Sequence, residues 1–455
     1  SYANNATVRY NGHVYKNVTG STQTSGNTPP VHLSGTETYG SIDWEYLHDE
    51  HGHVKITGFT SATEVTADVH EDQYGNSRLP DSAVGSGNAN TRWSLGAFDG
   101  DQGFPRAVAF YEERLYFAGT SGQPQTIFGS KTADFENMTP GTNDDDAINV
   151  TIASDQVNVI KHMIQGRFLQ LLTSSAEFTL SGGTGTQPVT PTNVNVLRET
   201  TFGSSAVRPI RAGSSTILIQ KGQEKVKEVT FDLDTDGLVG RDLTILAEHI
   251  ARGGLTDMIW QQEPELVLWF VRNDGTLIGL SYDPQNQVIG WHSHPMGGTG
   301  TVESITAIPS GEEDQVYVSV KRTIDGSTVR HIVFMEKIYF GTDVDDAFFV
   351  DSGLTYDSTA TTTITGLNHL EGETVQILAD GSAHADKTVS GGAITLDRSA
   401  STVHVGYSFT SQVQTLRLEG GADDGVSQGK IKRIHGATVR FLDTVGAEIG
   451  PDENN

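Results

Sequence analysis

From Phe104 to Glu336 the chain repeats one arrangement of apolar and polar positions. A first apolar segment ends in a short polar turn, a strongly apolar segment follows, and a third segment comes after another turn. "AVAFYEERLYFAGT" with "QTIFGS" is the first copy and "VIKHMIQGRFLQLLTSSAEFTLSG" the second. "VRPIRAGSSTILIQKGQEKVKEVTFD", "LTDMIWQQEPELVLWFVRNDGTLIGLSYD" and "ITAIPSGEEDQVYVSVKRTIDGSTVRHIVFME" follow. The first apolar residues after the internal turns are Leu115, Leu169, Ile217, Leu266 and Val316, spaced by 54, 48, 49 and 50 residues. Alternation in "TILIQKGQEKVKEVTF", with Gly222 at its turn, has the period of two expected of a half-buried hairpin. "LVLWFV" at Leu266–Val271 suits a buried strand, and "RNDGTL" reads as an Asp-Gly turn of the kind that favours a two-residue hairpin. Short antiparallel strands recurring every 40–50 residues are the mark of propeller blades, each a small sheet covered by its neighbours. The expected fold is all-β: a β-propeller of about six blades, with Val108, Phe110, Leu115 and Phe117 in the core of the first.

Other segments depart from the period. Residues 1–48 form a small β domain with aromatics at Tyr10, Tyr15, Trp44 and Tyr46 and a Pro29-Pro30 loop. Residues 49–91 hold a hairpin at His53–Val69 and a Gly/Ser/Asn-rich linker at Glu71–Asn90. The propeller occupies 92–360. "GRDLTILAEHIARGG", Gly240 to Gly254, reads as a helix with Leu243, Leu246, Ala247 and Ile250 on one face, Asp242 capping its start and Gly253 ending it. From 361 to 420 alternation around the Asp380-Gly381 and Gly391-Gly392 turns predicts a small inserted β-barrel. Residues 421–455 return to the propeller, with Ile431–Leu442 contributing to a sixth blade.

Composition narrows the function. The chain has 455 residues, 51 glycines and no cysteine, so thiolate and disulfide chemistry are excluded. Thirty basic residues against 57 acidic give a net charge of −27, which repels nucleic acid and anionic membranes. The densest basic cluster, Lys430, Lys432 and Arg433, is too small for a nucleic-acid groove. No apolar run reaches the roughly 18 residues of a membrane-spanning helix. The chain opens on Ser1 without a signal peptide, which points to a processed product or a portion of a longer one.

Candidate chemistry is sparse. "DLDTDGLVGRDL", Asp232 to Leu243, sets Asp232, Asp234 and Asp236 at the first, third and fifth places of a calcium loop and Gly237 at the sixth. Leu243 stands where a bidentate glutamate belongs, which favours a turn leading into the helix. His292 and His294 of "WHSHP" would share one face of a strand and could ligate a metal. No third ligand is evident, and a solvent-facing loop is favoured. "NDDDA" at Asn143–Ala147 and "DVDDA" at Asp343–Ala347 read as solvated turns. No nucleophile elbow, metalloprotease helix or phosphate loop is present, and "GVSQGK" lacks the spacing of one. The expectation is a protein that is not an enzyme and uses no cofactor. The N-terminal aromatics could stack on sugar rings or pack a core. A glycan-binding or glycan-degrading propeller acting on host-surface polysaccharide is therefore the alternative, and a calcium-stabilised adhesion module a third.

"FPRAVAFYEERLYFAGTSGQPQTIFGSKTADFENM", followed by "DDDAINVTIAS" and "RDLTILAEHI", resembles the tail nozzle proteins of short-tailed bacteriophages, also called tail tubular protein B. "LEGETVQILADG…TVSGGAITLDRSASTVHVGY" is similar to the small barrel inserted in many of them, and the matches span roughly Arg92 to Gly446. Residues 1–48 resemble carbohydrate-binding-module-like decorations of phage structural proteins. The resemblance implies a virion component that assembles as a hexameric ring at the end of the tail. That ring would dock on an adaptor, carry fibres and gate the genome. No catalytic residue is carried over. The family's chains usually run on at both ends, so propeller closure and the gate are expected to involve further segments. A DNA conduit should not retain its cargo, and an acidic lumen avoids phosphate contacts; plain solubility is the rival account of the charge.

Overall fold

The computed structural model describes residues 1–455 except 25, 27, 49–51, 71–78, 81–82, 89–95, 186, 338, 416–430, 432, 442–446 and 451–455. Strands β1 (Thr7–Tyr10), β2 (His13–Asn17), β3 (Thr36–Tyr39) and β4 (Ile42–His48) make an antiparallel sheet in the order β1-β2-β4-β3. Its core is aromatic, with Tyr15, Trp44 and Tyr46 buried beside Ile42. Strands β5 (His53–Ser61) and β6 (Glu64–His70) pair as a two-stranded ribbon whose apolar residues, Phe59 above all, stay exposed.

Five antiparallel sheets then follow one another as up-and-down meanders. The first is β7 (Ala107–Tyr111), β8 (Arg114–Ala118), β9 (Thr126–Gly129) and β10 (Ile148–Thr151). The second is β11 (Ile160–Gln165), β12 (Leu169–Thr173), β13 (Glu177–Gly182) and β14 (Val194–Thr200). The third is β15 (Ile210–Ala212), β16 (Ser215–Ile219), β17 (Val226–Asp232) and β18 (Gly237–Asp242). After a short helix, α1 (Glu248–Ala251), the fourth is β19 (Leu255–Gln261), β20 (Val267–Arg272), β21 (Leu277–Asp283) and β22 (Val288–His294). The fifth has three strands, β23 (Thr301–Ser310), β24 (Glu313–Ile324) and β25 (Ser327–Phe334). These are the blades of a β-propeller. Leu115, Leu169, Ile217 and Val316 lie in the second strand of their sheets, and Leu266 directly precedes its own.

The apolar runs are continuous because the inner sheets are covered on both faces. In β20, Leu268 and Phe270 point into the core shared with the third sheet, while Val267, Trp269 and Val271 enter the core shared with the fifth. Sheet three divides in the same way: Ile217 and Ile219 face sheet four, and Leu218 packs with Leu172 of sheet two. Each such side chain contributes about 1.5–3 kcal/mol when removed from water.

Backbone hydrogen bonds repeat at the four junctions. Ile160 N donates to Pro124 O (3.0 Å), Ser204 N to Thr173 O (2.8 Å), Leu255 N to Gln223 O (2.9 Å) and Val302 N to Gly275 O (2.9 Å). Each ties the start of one sheet, or the chain leading into it, to the turn after the second strand of the sheet before. All five sheets therefore stand the same way up. The close approach demands glycine. Gly119 has φ +76 and sits against the Ile160 carbonyl; Gly275 has φ +83, and a Cβ there would lie 2.5 Å from Thr301. Gly275 also sits in a longer turn than the two-residue one expected, with Arg272 N donating to Thr276 O at 2.9 Å.

Beyond the fifth sheet, β26 (Asp351–Thr365), β27 (Thr374–Ala379), β28 (Ser382–Thr388) and β29 (Ala393–Tyr407) form a curled sheet in the order β26-β29-β27-β28. It starts about ten residues before the expected barrel, because the first half of β26 is polar and bends through bulges between Asp351 and Thr363. Its core reaches Ile324 of β24. Arg322, on the same strand, is buried. It donates to the Gly297 carbonyl, pairs with Asp351 at 2.9 Å and lies 4.8 Å above the Tyr407 ring.

Two expectations are corrected. Val108 and Phe110 are 59% and 58% exposed, and Leu115 and Phe117 are half-buried; Ala107, Tyr111, Tyr116 and Ala118 carry the first core instead. Alternation defines two faces, but only the neighbouring sheet decides which is covered. The helix shrinks to Glu248–Ala251, since Gly240–Asp242 complete β18 against β17 and Leu246 is 94% exposed. Five sheets are described where about six were expected. Among the described residues of Ile431–Leu442 none is in a strand, and Ile431, Ile434, Val439 and Phe441 are exposed. Their alternation marks an amphipathic segment without naming the edge that would receive it. The linker read at Glu71–Asn90, and Lys430 and Lys432, lie mostly or wholly outside the described residues.

Replacing Arg322 by Met strands the Asp351 carboxylate. Urea unfolding is expected to show a loss of about 3–5 kcal/mol. Arg330→Met, at the exposed pair with Glu303 (2.7 Å), should cost less than about 1 kcal/mol. Equal losses would remove Arg322 from its joining role.

Candidate functional site

The acidic candidates sit on turns, while the histidine pair sits on a strand. Asp232 to Gly237 is the hairpin turn between β17 and β18, with Asp232 paired to Gly237. The Asp232 carboxylate accepts from Asp234 N (3.1 Å) and Thr235 Oγ1 (3.4 Å), so it closes the turn on itself. Asp234 and Asp236 are exposed, and Asp236 takes φ +48. Leu243, at the place of the twelfth ligand, is buried. Among the described residues no three His, Cys, Asp or Glu side chains are grouped to hold a metal ion.

His292 and His294 lie on β22 rather than on a loop, and they do share one face. Their rings meet edge-on over Trp269, with His292 Nδ1 and His294 Nε2 2.6 Å apart. At that distance one ring donates to the other, so the pair shares a proton instead of carrying two. Burial lowers His292, and burial together with His292 lowers His294 to about 4.

The acidic turn at Asn143–Ala147 is organised from inside. Arg114, 1% exposed, donates to the carbonyls of Ser130 (2.7 Å), Asp144 (2.5 Å) and Asp146 (2.6 Å). The Asp146 side chain pairs with Lys131 at 2.8 Å, while those of Asp144 and Asp145 are left exposed. Sequence reasoning missed this; the signal was one arginine at a core parity of a short apolar strand. The Asp343–Ala347 segment holds the short turn Val344–Asp346, capped by Asp343 on Asp345 N at 3.2 Å. Burial, then Asp343, Asp380 and Asp346, push the Asp345 carboxyl up. Tyr15, Trp44 and Tyr46 pack edge-on with their neighbours in the N-terminal core and present no open ring to a sugar; Tyr10 is exposed.

A basic cluster escaped the sequence because its members lie far apart along the chain. Arg106 N bonds Ala118 O at 3.0 Å, and the next residue, Gly119, rests on the Ile160 carbonyl. Lys161 Nζ donates to Ser204 O (2.8 Å), while Lys221 N donates to Gly203 O (3.0 Å). Burial, then the charges of Arg106 and Lys221, hold the Lys161 ammonium below its ordinary range. His162 is lowered chiefly by burial, and Lys161 and Arg208 add to this. The Ser204 hydroxyl is fully buried and has no partner. A nearby concavity of about 120 Å³, lined by Glu224, Lys225, Glu248 and Arg252, is all charged, unlike the apolar pockets that take small molecules.

The histidine pair makes stability depend on pH. A native state that keeps these rings neutral binds fewer protons than the unfolded chain below about pH 6.5. Stability is then full above pH 6.5 and falls as the pH drops towards about 4, by at most about 1.4 kcal/mol per pH unit per ring. Thermal unfolding followed from pH 7 to 5 should show this slope, and His294→Gln should flatten it. An unchanged slope would separate the pair from the acid response.

No family model matches the chain, and no curated protein does. Solved structures with some likeness include the β-propeller domain of Cps50 (Swd1) from Myceliophteria thermophila, at 10% identity over 50% of this chain and 72% of that one, TM-score 0.30. The WD40 domain of Pan2 from Neurospora crassa gives 10% identity over 70% and 84%, TM-score 0.29. AztD from Citrobacter koseri gives 10% over 68% and 76%, TM-score 0.31. At these values the likenesses carry nothing about activity or partners.

Proposed function

We propose that the chain is a structural component of a bacteriophage tail, the nozzle ring at the distal end of the tail tube. Copies assemble around an axis, dock on an adaptor, carry fibres and gate genome ejection through an acidic channel. One observation carries this reading beyond the sequence resemblance. The two leading stretches of that resemblance, Phe104–Met138 and Asp144–Ser154, meet in the first sheet. Arg114 of the first holds the carbonyls of Asp144 and Asp146 of the second. A motif pair locked together by a buried guanidinium supports a part built for shape. The burial of Trp44, Tyr15 and Tyr46 gives the glycan alternative no support.

Mass photometry and negative-stain microscopy of the purified chain, alone and with a tail adaptor, test the proposal. The expected particle is a closed ring of several copies. Strict monomers under assembly conditions would count against it. So would turnover of host polysaccharide that is lost on a single carboxylate-to-amide change.

A further inference from the structure

Up-and-down strands give every sheet two ends, and the junction hydrogen bonds align them. One end carries the starts of the first strands and the turns between second and third strands. The opposite end carries the turns from first to second and from third to fourth strands. Charge is sorted between the two. At the starting end Arg106, Lys161, Arg208 and Lys221 gather across the first three sheets, and none of them is in an ion pair among the described residues. Most carboxylates at that end are engaged. Glu248 meets Lys225 at 3.4 Å, Asp274 meets Arg272 at 2.6 Å, and Glu224 accepts from Gly253 N at 3.1 Å. Asp155 reaches Arg198 at 3.9 Å; Asp101, in the chain leading into the first sheet, and Asp325, on the fifth, are exposed exceptions.

The opposite end is the reverse. Glu113, Asp144, Asp145, Asp234, Asp236 and Glu265 are exposed there on turns of the first, third and fourth sheets. Most of its cations are occupied: Lys131 by Asp146 (2.8 Å), Lys337 by Glu313 (3.2 Å), and Arg167 over the Phe231 ring at 4.3 Å, while Arg211 donates only to the Gly213 carbonyl (3.2 Å) and the Thr216 hydroxyl (3.4 Å). The array is thus polar along its strands, with uncompensated cations at one end and uncompensated carboxylates at the other.

We propose that the basic end docks on the acidic end of a second copy of this chain, Arg106, Lys161, Arg208 and Lys221 facing turns that bear Glu113, Asp144 and Asp145. The proposal rests on the reading that copies assemble, and adds which surfaces meet. Two different patches make the contact heterologous, which generates a ring where the rotation closes. A short acidic loop suits the patch better than nucleic acid does. The cluster has only four cations, and a longer polyanion would run past them onto a chain of net charge −27. A neighbour's turn needs no more than the patch offers, and Arg114 already holds that turn in shape, which spares ordering cost.

Charge reversal tests this. One variant carries Arg106→Glu, Arg208→Glu and Lys221→Glu; the other carries Glu113→Lys, Asp144→Lys and Asp145→Lys. All six side chains are exposed, so folding should survive, with circular dichroism as the check. Sedimentation should show wild-type assembly weakening about tenfold or more between low and high salt. Each variant alone should fail to assemble, and an equimolar mixture should recover, because each then offers the end the other lacks. Wild-type oligomers indifferent to salt and to both reversals would overturn the contact while leaving the ring intact. Wild-type monomers at every concentration and salt would overturn both. Duplex DNA binding lost only in the first variant, with assembly unchanged, would reassign the patch to phosphate.

Discussion

A sheet of four short strands has two apolar faces and can cover neither. Everything in the array answers to that constraint. Sheets two, three and four lie between neighbours, so their second strands, Leu169–Thr173, Ser215–Ile219 and Val267–Arg272, are buried at nearly every position on both faces. Successive residues feed alternate cores. Among the described residues the first sheet has a sheet on one side only, and Val108 and Phe110, on its other face, are exposed. Polar groups enter the interior where sheets must be joined and where backbone carbonyls would otherwise be orphaned. Arg114 gathers carbonyls, Arg322 joins β24 to Asp351, and Glu228 of β17 accepts from Tyr282 of β21 at 2.6 Å.

The same constraint leaves the turns as the surface free to vary. A charge on the second strand of an inner sheet would have to be buried, at a cost of several kcal/mol unless paired. A charge on a turn costs almost nothing. The excess of 57 acidic over 30 basic residues can therefore collect at the sheet ends without disturbing the cores. This makes charge a property of the ends, set by topology, and any partner that reads it approaches along the strands.

The period was legible in the sequence because each blade repeats one solution to the burial problem. The five anchor residues mark second strands for that reason. What was not legible needed the neighbour. Val108 and Phe110 alternate with Ala107 and Tyr111, and the pattern is the same whichever set is covered. Gly240–Gly254 has a helical stripe, yet its first residues gain more from completing β18 than from starting a helix. Pairing Gly240, Arg241 and Asp242 with Val229, Glu228 and Lys227 of an existing strand outweighs a helix nucleus with nothing packed on it. His292 and His294 were legible as a same-face pair, but their burial depends on Trp269, more than twenty residues away. The basic cluster is assembled from three sheets and has no local signature at all.

The two uncovered ends of the array pose a different problem from its charged faces. Phe110 on the first sheet and Ile332 on the fifth are apolar and exposed, and among the described residues no fourth strand pairs with β25. Such surfaces are stabilised by exclusion of water, which salt does not weaken, whereas opposed charges are screened within about 10 Å. A partner that covers Phe110 or Ile332 would therefore hold at high ionic strength, and one that reads the turns would release. Assembly that comes apart in salt must be working through the turns; assembly that survives it must be covering the outer sheets.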